Sequence, residues 1–162
     1  MRIVILFIIL VSGSINAQNS LKKLLNQYNN ESIPYISATG LEKIKDTVLI
    51  FDAREKNEYL ISHLENAVHV GYDSFAVAAI VEQKIAKNSH IVVYCSLGIR
   101  SEDVAEQLKK EGYTNIQNLY GGIFEWKNNG YPVINSKNEL TEEIHTYSKE
   151  WSKWLLKGEK KY

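Results

Sequence analysis

The stretch His90-Ile91-Val92-Val93-Tyr94-Cys95-Ser96-Leu97-Gly98-Ile99-Arg100-Ser101 decides how this chain is read. Its first five residues form an apolar, β-branched run of the kind that fills a buried strand. The run passes directly into Cys95, and after a short loop Ser101 opens a helix. Val104, Ala105 and Leu108 share one side of that helix until Gly112 ends it. A strand-to-helix loop turns backbone N–H groups inward and makes a nest for an anion. Gly98 frees the loop to take positive φ and to bring its backbone close to a ligand. A thiol at the mouth of the nest is a candidate nucleophile, because the amide dipoles and Arg100 both favour the thiolate. A free cysteine is most often a small apolar core residue. The combination of strand, Cys95, Gly98, Arg100 and helix points to chemistry instead.

Similar units flank this one. Thr47-Val48-Leu49-Ile50-Phe51-Asp52 reads as a buried strand ending in a carboxylate, and Ala67-Val68-His69-Val70 as a shorter one closed by Gly71. Asp73 or Ser74 is expected to cap a helix in which Phe75, Ala78, Ala79 and Ile85 share a face. Ile116 to Tyr120 predicts a further strand, broken by Gly121-Gly122 and followed by a short helix over Phe124 to Asn128. Strands separated by helices predict an α/β layered domain, a mostly parallel sheet with helices on both faces. In such sheets the functional crevice lies beyond the carboxyl ends of the strands, so Asp52 and Cys95 belong to one site.

Two flanks lie outside this block. Leu21 to Asn29 is a short amphipathic stretch. From Asn138 onward, Leu140, Ile144, Tyr147, Trp151, Trp154 and Leu155 are spaced by three or four, which predicts a C-terminal amphipathic helix. The simpler expectation is that this tail packs on its own domain. The alternative is a surface for a protein partner or a dimer, because two exposed tryptophans are costly in a soluble monomer.

With 19 basic and 19 acidic residues among 162, the chain has no electrostatic footprint for nucleic acid. Its 44% hydrophobic content suits one domain that buries a core without staples. One cysteine excludes an intramolecular disulfide framework and a cysteine-based zinc cluster. His63, His69, His90 and His145 lack metal-ligand spacing, so neither metal nor cofactor is expected. Met1-Arg2, the nine apolar residues Ile3 to Val11, and Ser12 to Ala17 match a signal peptide over residues 1–17. The apolar run would rise about 14 Å as a helix, roughly half a hydrocarbon core, which is too short to span. The expectation is an exported protein, periplasmic or extracellular, with no membrane span after cleavage.

Cys-x-x-Gly-x-Arg-Ser after a Val-Val-Tyr strand resembles the active loop of rhodanese domains, a sulfurtransferase family. Leu49-Ile50-Phe51-Asp52-Ala53-Arg54-Glu55 with Glu58-Tyr59 is similar to the family's strand-Asp-x-Arg-Glu segment and the Glu-aromatic pair after it. Leu119-Tyr120-Gly121-Gly122-Ile123-Phe124-Glu125-Trp126 with Gly130-Tyr131-Pro132-Val133 resembles its Gly-Gly-x-x-x-Trp closing segment. The resemblance covers about residues 36–134, a single rhodanese-like three-layer domain. It leaves 18–35 as an N-terminal extension and 135–162 as a helical tail. One segment departs from the pattern: Ser62-His63-Leu64-Glu65-Asn66-Ala67 stands where the family reads Gly-His-Ile-Pro-Gly-Ala.

The resemblance implies that Cys95 takes a sulfane sulfur from a small donor such as thiosulfate or a persulfide. The resulting Cys95 persulfide passes that sulfur to a thiol or cyanide. It makes Cys95 and Arg100 catalytic, and the loop residues Ser96, Leu97, Gly98, Ile99 and Ser101 a cradle for the sulfur. Arg100 would add charge or lock the loop by pairing with a carboxylate. Asp52, Arg54 and Glu58 are expected to brace the loop, and Trp126 to be core. With no second cysteine, the sulfur must leave to an external acceptor. A phosphatase of the same fold would need five residues between cysteine and arginine, and here four intervene. A rival of another class is a non-catalytic binding module, which the joint presence of Cys95, Gly98 and Arg100 disfavours.

Overall fold

The computed structural model describes residues 20–162. The signal sequence expected over residues 1–17 lies outside the described residues. A first helix, α1, covers 20–28, the amphipathic stretch of the sequence. It belongs to a unit that ends at Asn30, separate from the unit Glu31–Tyr162.

In the larger unit the apolar runs pair. Strands β1 (Tyr35–Ile36), β2 (Leu49–Asp52), β3 (Val68–His69), β4 (Ile91–Tyr94) and β5 (Ile116–Leu119) form one parallel sheet in the order β1-β5-β4-β2-β3. β4 is central because its residues are apolar on both faces, and all four are buried. Its register puts Asp52 beside Tyr94 and Val93 beside Asn118. The chain leaves β2 outward to β3, then returns to β4 on the other side of β2. The carboxyl ends of β2 and β4 therefore mark the switch point at which open α/β sheets place their crevice.

Helices α2 (Ala38–Ile44), α3 (Lys56–Ile61), α4 (Val77–Glu82), α5 (Arg100–Lys110) and α6 (Gly122–Asn128) cover the sheet on both faces. One face packs Phe51, Ile91, Val93 and Ile116 against Ile80 of α4 and Val104, Ala105 and Leu108 of α5. Glu102 and Asp103 in the first turn of α5, and Lys109 and Lys110 in its last, suit the helix dipole. Two helices lie where no apolar period marks them, and their caps account for them. The Ser37 hydroxyl accepts the Gly40 N–H ahead of α2. Glu55 and Glu58 form a reciprocal capping box at the start of α3.

Two expectations are corrected. The helix expected after Asp73 or Ser74 begins at Val77, with Ala76 before it and no side-chain cap. Residues 72–75 make a tight turn first, closed by the Phe75 N–H on the Tyr72 carbonyl. Ala78 and Ala79 consequently face solvent while Ile80 is buried.

The C-terminal amphipathic helix is absent. The tail forms β7 (Leu140–Thr141), antiparallel to β6 (Val133–Ile134), and then β8 (Glu143–His145), parallel to β9 (Glu159–Lys161). A single 3-10 turn at Trp151–Trp154 carries the tryptophans, both half-buried. Asn138 and Tyr147 take positive φ, which interrupts a right-handed helix at both places. Of the supposed stripe, Leu140 (77% exposed) and Tyr147 (56%) face solvent, while Ile144 and Leu155 are buried. An isolated helix of this length is marginal in water, and pairing of β8 with β9 outcompetes it. No helix among the described residues is long and apolar enough to cross a membrane.

The sheet and α6 meet at a point with no room for a side chain. Gly121 and Gly122 both take positive φ, and a Cβ on Gly122 would overlap the Cys95 carbonyl oxygen and lie 2.7 Å from that of Ser96. Gly122→Ala is expected to lose at least about 2 kcal/mol of stability by urea unfolding. Gly112→Ala, also at positive φ but in open space, should lose only about 1 kcal/mol. Equal losses at the two positions would contradict the close approach.

Candidate active site

Cys95 follows the last residue of β4 and is buried. Its Sγ accepts the Gly98 N–H at 3.1 Å, an arrangement made available by Gly98 at φ 101°. The Ser101 hydroxyl lies 3.5 Å from the same sulfur but 2.7 Å from Asn118 Oδ1, so its one proton serves the asparagine better. Asn118, buried in β5, also donates from Nδ2 to the Gly98 carbonyl at 2.8 Å. That side chain pins the loop against the neighbouring strand. From the other side, α6 presents the Ile123 N–H to the Cys95 carbonyl at 2.9 Å.

The remaining loop residues divide by role. The Leu97 side chain is core, while Ile99 is half-buried at the rim. The Ser96 hydroxyl donates to Glu58 Oε1 at 3.1 Å. Arg100 lays a two-pronged fork on the same carboxylate, Nη1 to Oε2 at 2.7 Å and Nη2 to Oε1 at 2.9 Å. Arg100 is thus paired with a carboxylate, and the carboxylate is Glu58. Burial pushes the Glu58 carboxyl up, but the Arg100 fork and the charges of Arg100 and Arg54 outweigh it and hold the group below its ordinary value.

Asp52 and Arg54 pair with each other. Arg54 Nη2 reaches Asp52 Oδ2 at 2.7 Å and its Nε reaches Oδ1 at 3.0 Å, with both side chains fully buried. Tyr94 donates its hydroxyl to Asp52 Oδ2 at 2.6 Å and accepts the Leu64 N–H at 3.1 Å. Burial, with Asp52 beside it, raises the Tyr94 phenol well above its ordinary value, so it remains a donor. Arg54 Nη2 also donates to the Ser62 carbonyl at 2.6 Å, which holds the segment that departs from the family pattern. In that segment Asn66 takes φ 63°, a left-handed position that asparagine tolerates and where the pattern has glycine. Trp126 is buried, its indole N–H on the Pro132 carbonyl at 2.8 Å.

The tail supplies two residues that sequence reasoning did not place here. His145 Nδ1 lies 3.9 Å from Glu58 Oε1 and accepts the Tyr147 N–H at 3.1 Å. Burial lowers the imidazole below its ordinary value against the pull of Glu58, so the ring is neutral at neutral pH. The Tyr147 ring faces the Arg100 guanidinium 4.9 Å from its centroid. No local pattern announces either contact. Asn118 did carry a signal, as a polar residue in a largely buried strand that must find partners when buried.

Residues 37–129 match the family described as the rhodanese-like domain. The chain belongs to that family. This rhodanese-like chain is similar to the thiosulfate sulfurtransferase GlpE of Coxiella burnetii, 33% identical over 97 residues that span 60% of this chain and 87% of the relative. It is also similar to a tRNA uridine(34) hydroxylase of Buchnera aphidicola, 28% identical over 84% of this chain but only 48% of the relative. Among solved structures, a rhodanese-related protein from Thermoplasma volcanium is 26% identical with a TM-score of 0.52, covering 62% of this chain and 97% of that one. A thiosulfate sulfurtransferase from Pseudomonas aeruginosa, 17% identical with a TM-score of 0.61 over 86% of this chain and 26% of its own, shares the fold. The relatives thus include both a thiosulfate sulfurtransferase and a tRNA hydroxylase.

A carboxyl held below its unfolded value contributes stability that is complete above about pH 4.3 and is lost as pH falls through the folded value. Glu58→Gln is therefore expected to unfold more easily than wild type by about 3 kcal/mol near neutral pH, the cost of breaking a buried pair. That gap should stay flat down to about pH 5 and close in stronger acid. Urea titrations of both proteins across this range test it, and a gap independent of pH would remove the Glu58 charge as its source.

Proposed function

We propose that this protein is a sulfurtransferase that carries a sulfane sulfur on Cys95. The observation that carries the reading is the Cys95 sulfur at the sheet's switch point, accepting the Gly98 N–H in a loop braced from both neighbouring sides. In the first step the Cys95 thiolate attacks the outer sulfur of the donor. A new S–S bond forms, the donor's S–S bond breaks, and its electron pair leaves on sulfite or on a thiolate. In the second step an acceptor thiolate or cyanide attacks the outer sulfur of the Cys95 persulfide, and Cys95 departs as thiolate. Both steps place negative charge on sulfur, and fixed amide dipoles stabilise such charge without reorganising.

The surroundings of the sulfur support one donor class over another. Arg100 is already matched by Glu58, and Leu97 and Ile99 add no charge to the loop. A dianion such as thiosulfate gains little there, whereas the reacting end of a persulfide carries at most a single negative charge. The amino-terminal pattern of residues 1–17 supports export to the periplasm or beyond the cell as part of the same reading.

Intact mass of the reduced protein, before and after exposure to each donor, tests this. The expected result is a gain of one sulfur atom, greater with a small-molecule persulfide than with thiosulfate, reversed by cyanide and absent in Cys95→Ser. No gain with either donor from folded, reduced protein would overturn the proposal and favour a binding module.

A further inference from the structure

The tail that follows the family-matching segment reaches back to the cysteine loop through an unusual turn. Thr146 is fully buried, and both its N–H and its hydroxyl donate to the Lys161 carbonyl, at 2.9 and 3.0 Å. This anchors the end of β8 on β9. The Ser148 N–H then bonds back to the Thr146 carbonyl at 2.7 Å, closing a three-residue turn centred on Tyr147 at φ 63°. A γ-turn with positive φ is rare and strained, most of all at a bulky residue. The strain has an evident product. It delivers the Tyr147 N–H to His145 Nδ1 and the Tyr147 ring to the face of Arg100, while His145 itself lies over Glu58.

We propose that the C-terminal segment 143–147 is a working part of the active site, in which Tyr147 is a positioning residue that caps the Glu58–Arg100 pair and so holds the Cys95 loop. Cations over aromatic faces are attracted more strongly when water is excluded, and an ion pair shielded from water is screened less by salt. The Glu58 side of the pair is already closed, with its side chain 2% exposed, whereas Arg100 retains 15%. Although Tyr147 as a residue is 56% exposed, its ring lies against the guanidinium on that more open side. Trp151 supports the ring edge-on, with centroids 6.0 Å apart and planes at 77°. His145, Tyr147 and Trp151 all lie beyond 37–129, so the tail adds a wall to the site that the matched segment does not contain.

The activity consequence rests on the sulfurtransferase reading, but the clamp can be tested without it. Tyr147→Gly suits the left-handed backbone, so it removes the ring while relieving the turn. The first measurement is the rate at which neutral iodoacetamide alkylates Cys95 in the full chain at about 0.01 M and about 1 M salt, conditions that change the screening length tenfold. Wild type is expected to alkylate at rates within about twofold of each other, because its pair is capped. Tyr147→Gly should differ by at least about threefold between the two salts, and Tyr147→Phe should return to the wild-type ratio, since the ring face is kept. The second measurement is sulfur uptake from a persulfide, expected to fall about tenfold in Tyr147→Gly and to recover at least half of its rate in Tyr147→Phe.

If wild type takes up no sulfur, the functional reading fails while the alkylation ratios still decide the clamp. If Tyr147→Gly stays folded and shows the wild-type salt ratio, the clamp is overturned. A salt-sensitive wild type would overturn it as well.

Discussion

Glu58 is a carboxylate taken out of water, and its burial is tolerable only while every oxygen is satisfied. Four donors do this: the Glu55 N–H, the Ser96 hydroxyl and two nitrogens of Arg100. They come from different parts of the chain: one from the start of α3, one from the loop that follows β4, and two from Arg100 at the start of α5. A desolvated charge without partners is costly, so the carboxylate obliges these segments to meet in one geometry. The position of Ser96 and Arg100 then leaves the rest of the loop little freedom between them.

A second buried bracket works beside the first. Asp52, Arg54 and Tyr94 link the ends of adjacent strands β2 and β4, and Arg54 extends the link to the Ser62 carbonyl. Asn118 adds a third hold from β5, and α6 a fourth through the two glycines. Cys95 sits where these constraints converge. For the nucleophile we propose at Cys95, a loop braced from several directions means that little has to rearrange as charge develops on the sulfur. The charged residues near the cysteine mostly serve one another, and the Gly98 amide donates directly to the sulfur.

Much of this was readable in one dimension because local rules and tertiary demands agree. The run Ile91–Tyr94 is apolar at every position, so it can only be central, and glycine at 98, 121 and 122 marks backbone that bends or approaches closely. The departure at Ser62–Ala67 was legible as a difference but not as a consequence. Asn66 takes the left-handed conformation that a glycine would, and the path survives. The tail was misread for an instructive reason. Spacing of three and four is compatible with a helix, but it is also produced by short strands and a 3-10 turn whose apolar residues are buried one at a time. Only a ladder partner decides between them, and β9 lies fourteen residues beyond β8, at the far end of the chain.

What the sequence determined by itself was the alternation of strand and helix, the parallel sheet that alternation requires, and a cysteine at the end of its central strand. Those follow from short-range rules: periodicity, β-branching, glycine and the capping residues. The pairing of charges was decided by tertiary structure alone. Arg100 had several carboxylates within the same motifs as candidate partners, and the fold assigned it Glu58 while giving Asp52 to Arg54. The same holds for His145 against Glu58 and for Tyr147 against Arg100, partners more than forty residues away along the chain. Contacts of that span carry no local signature, because they depend on where two distant segments come to rest and not on the residues between them.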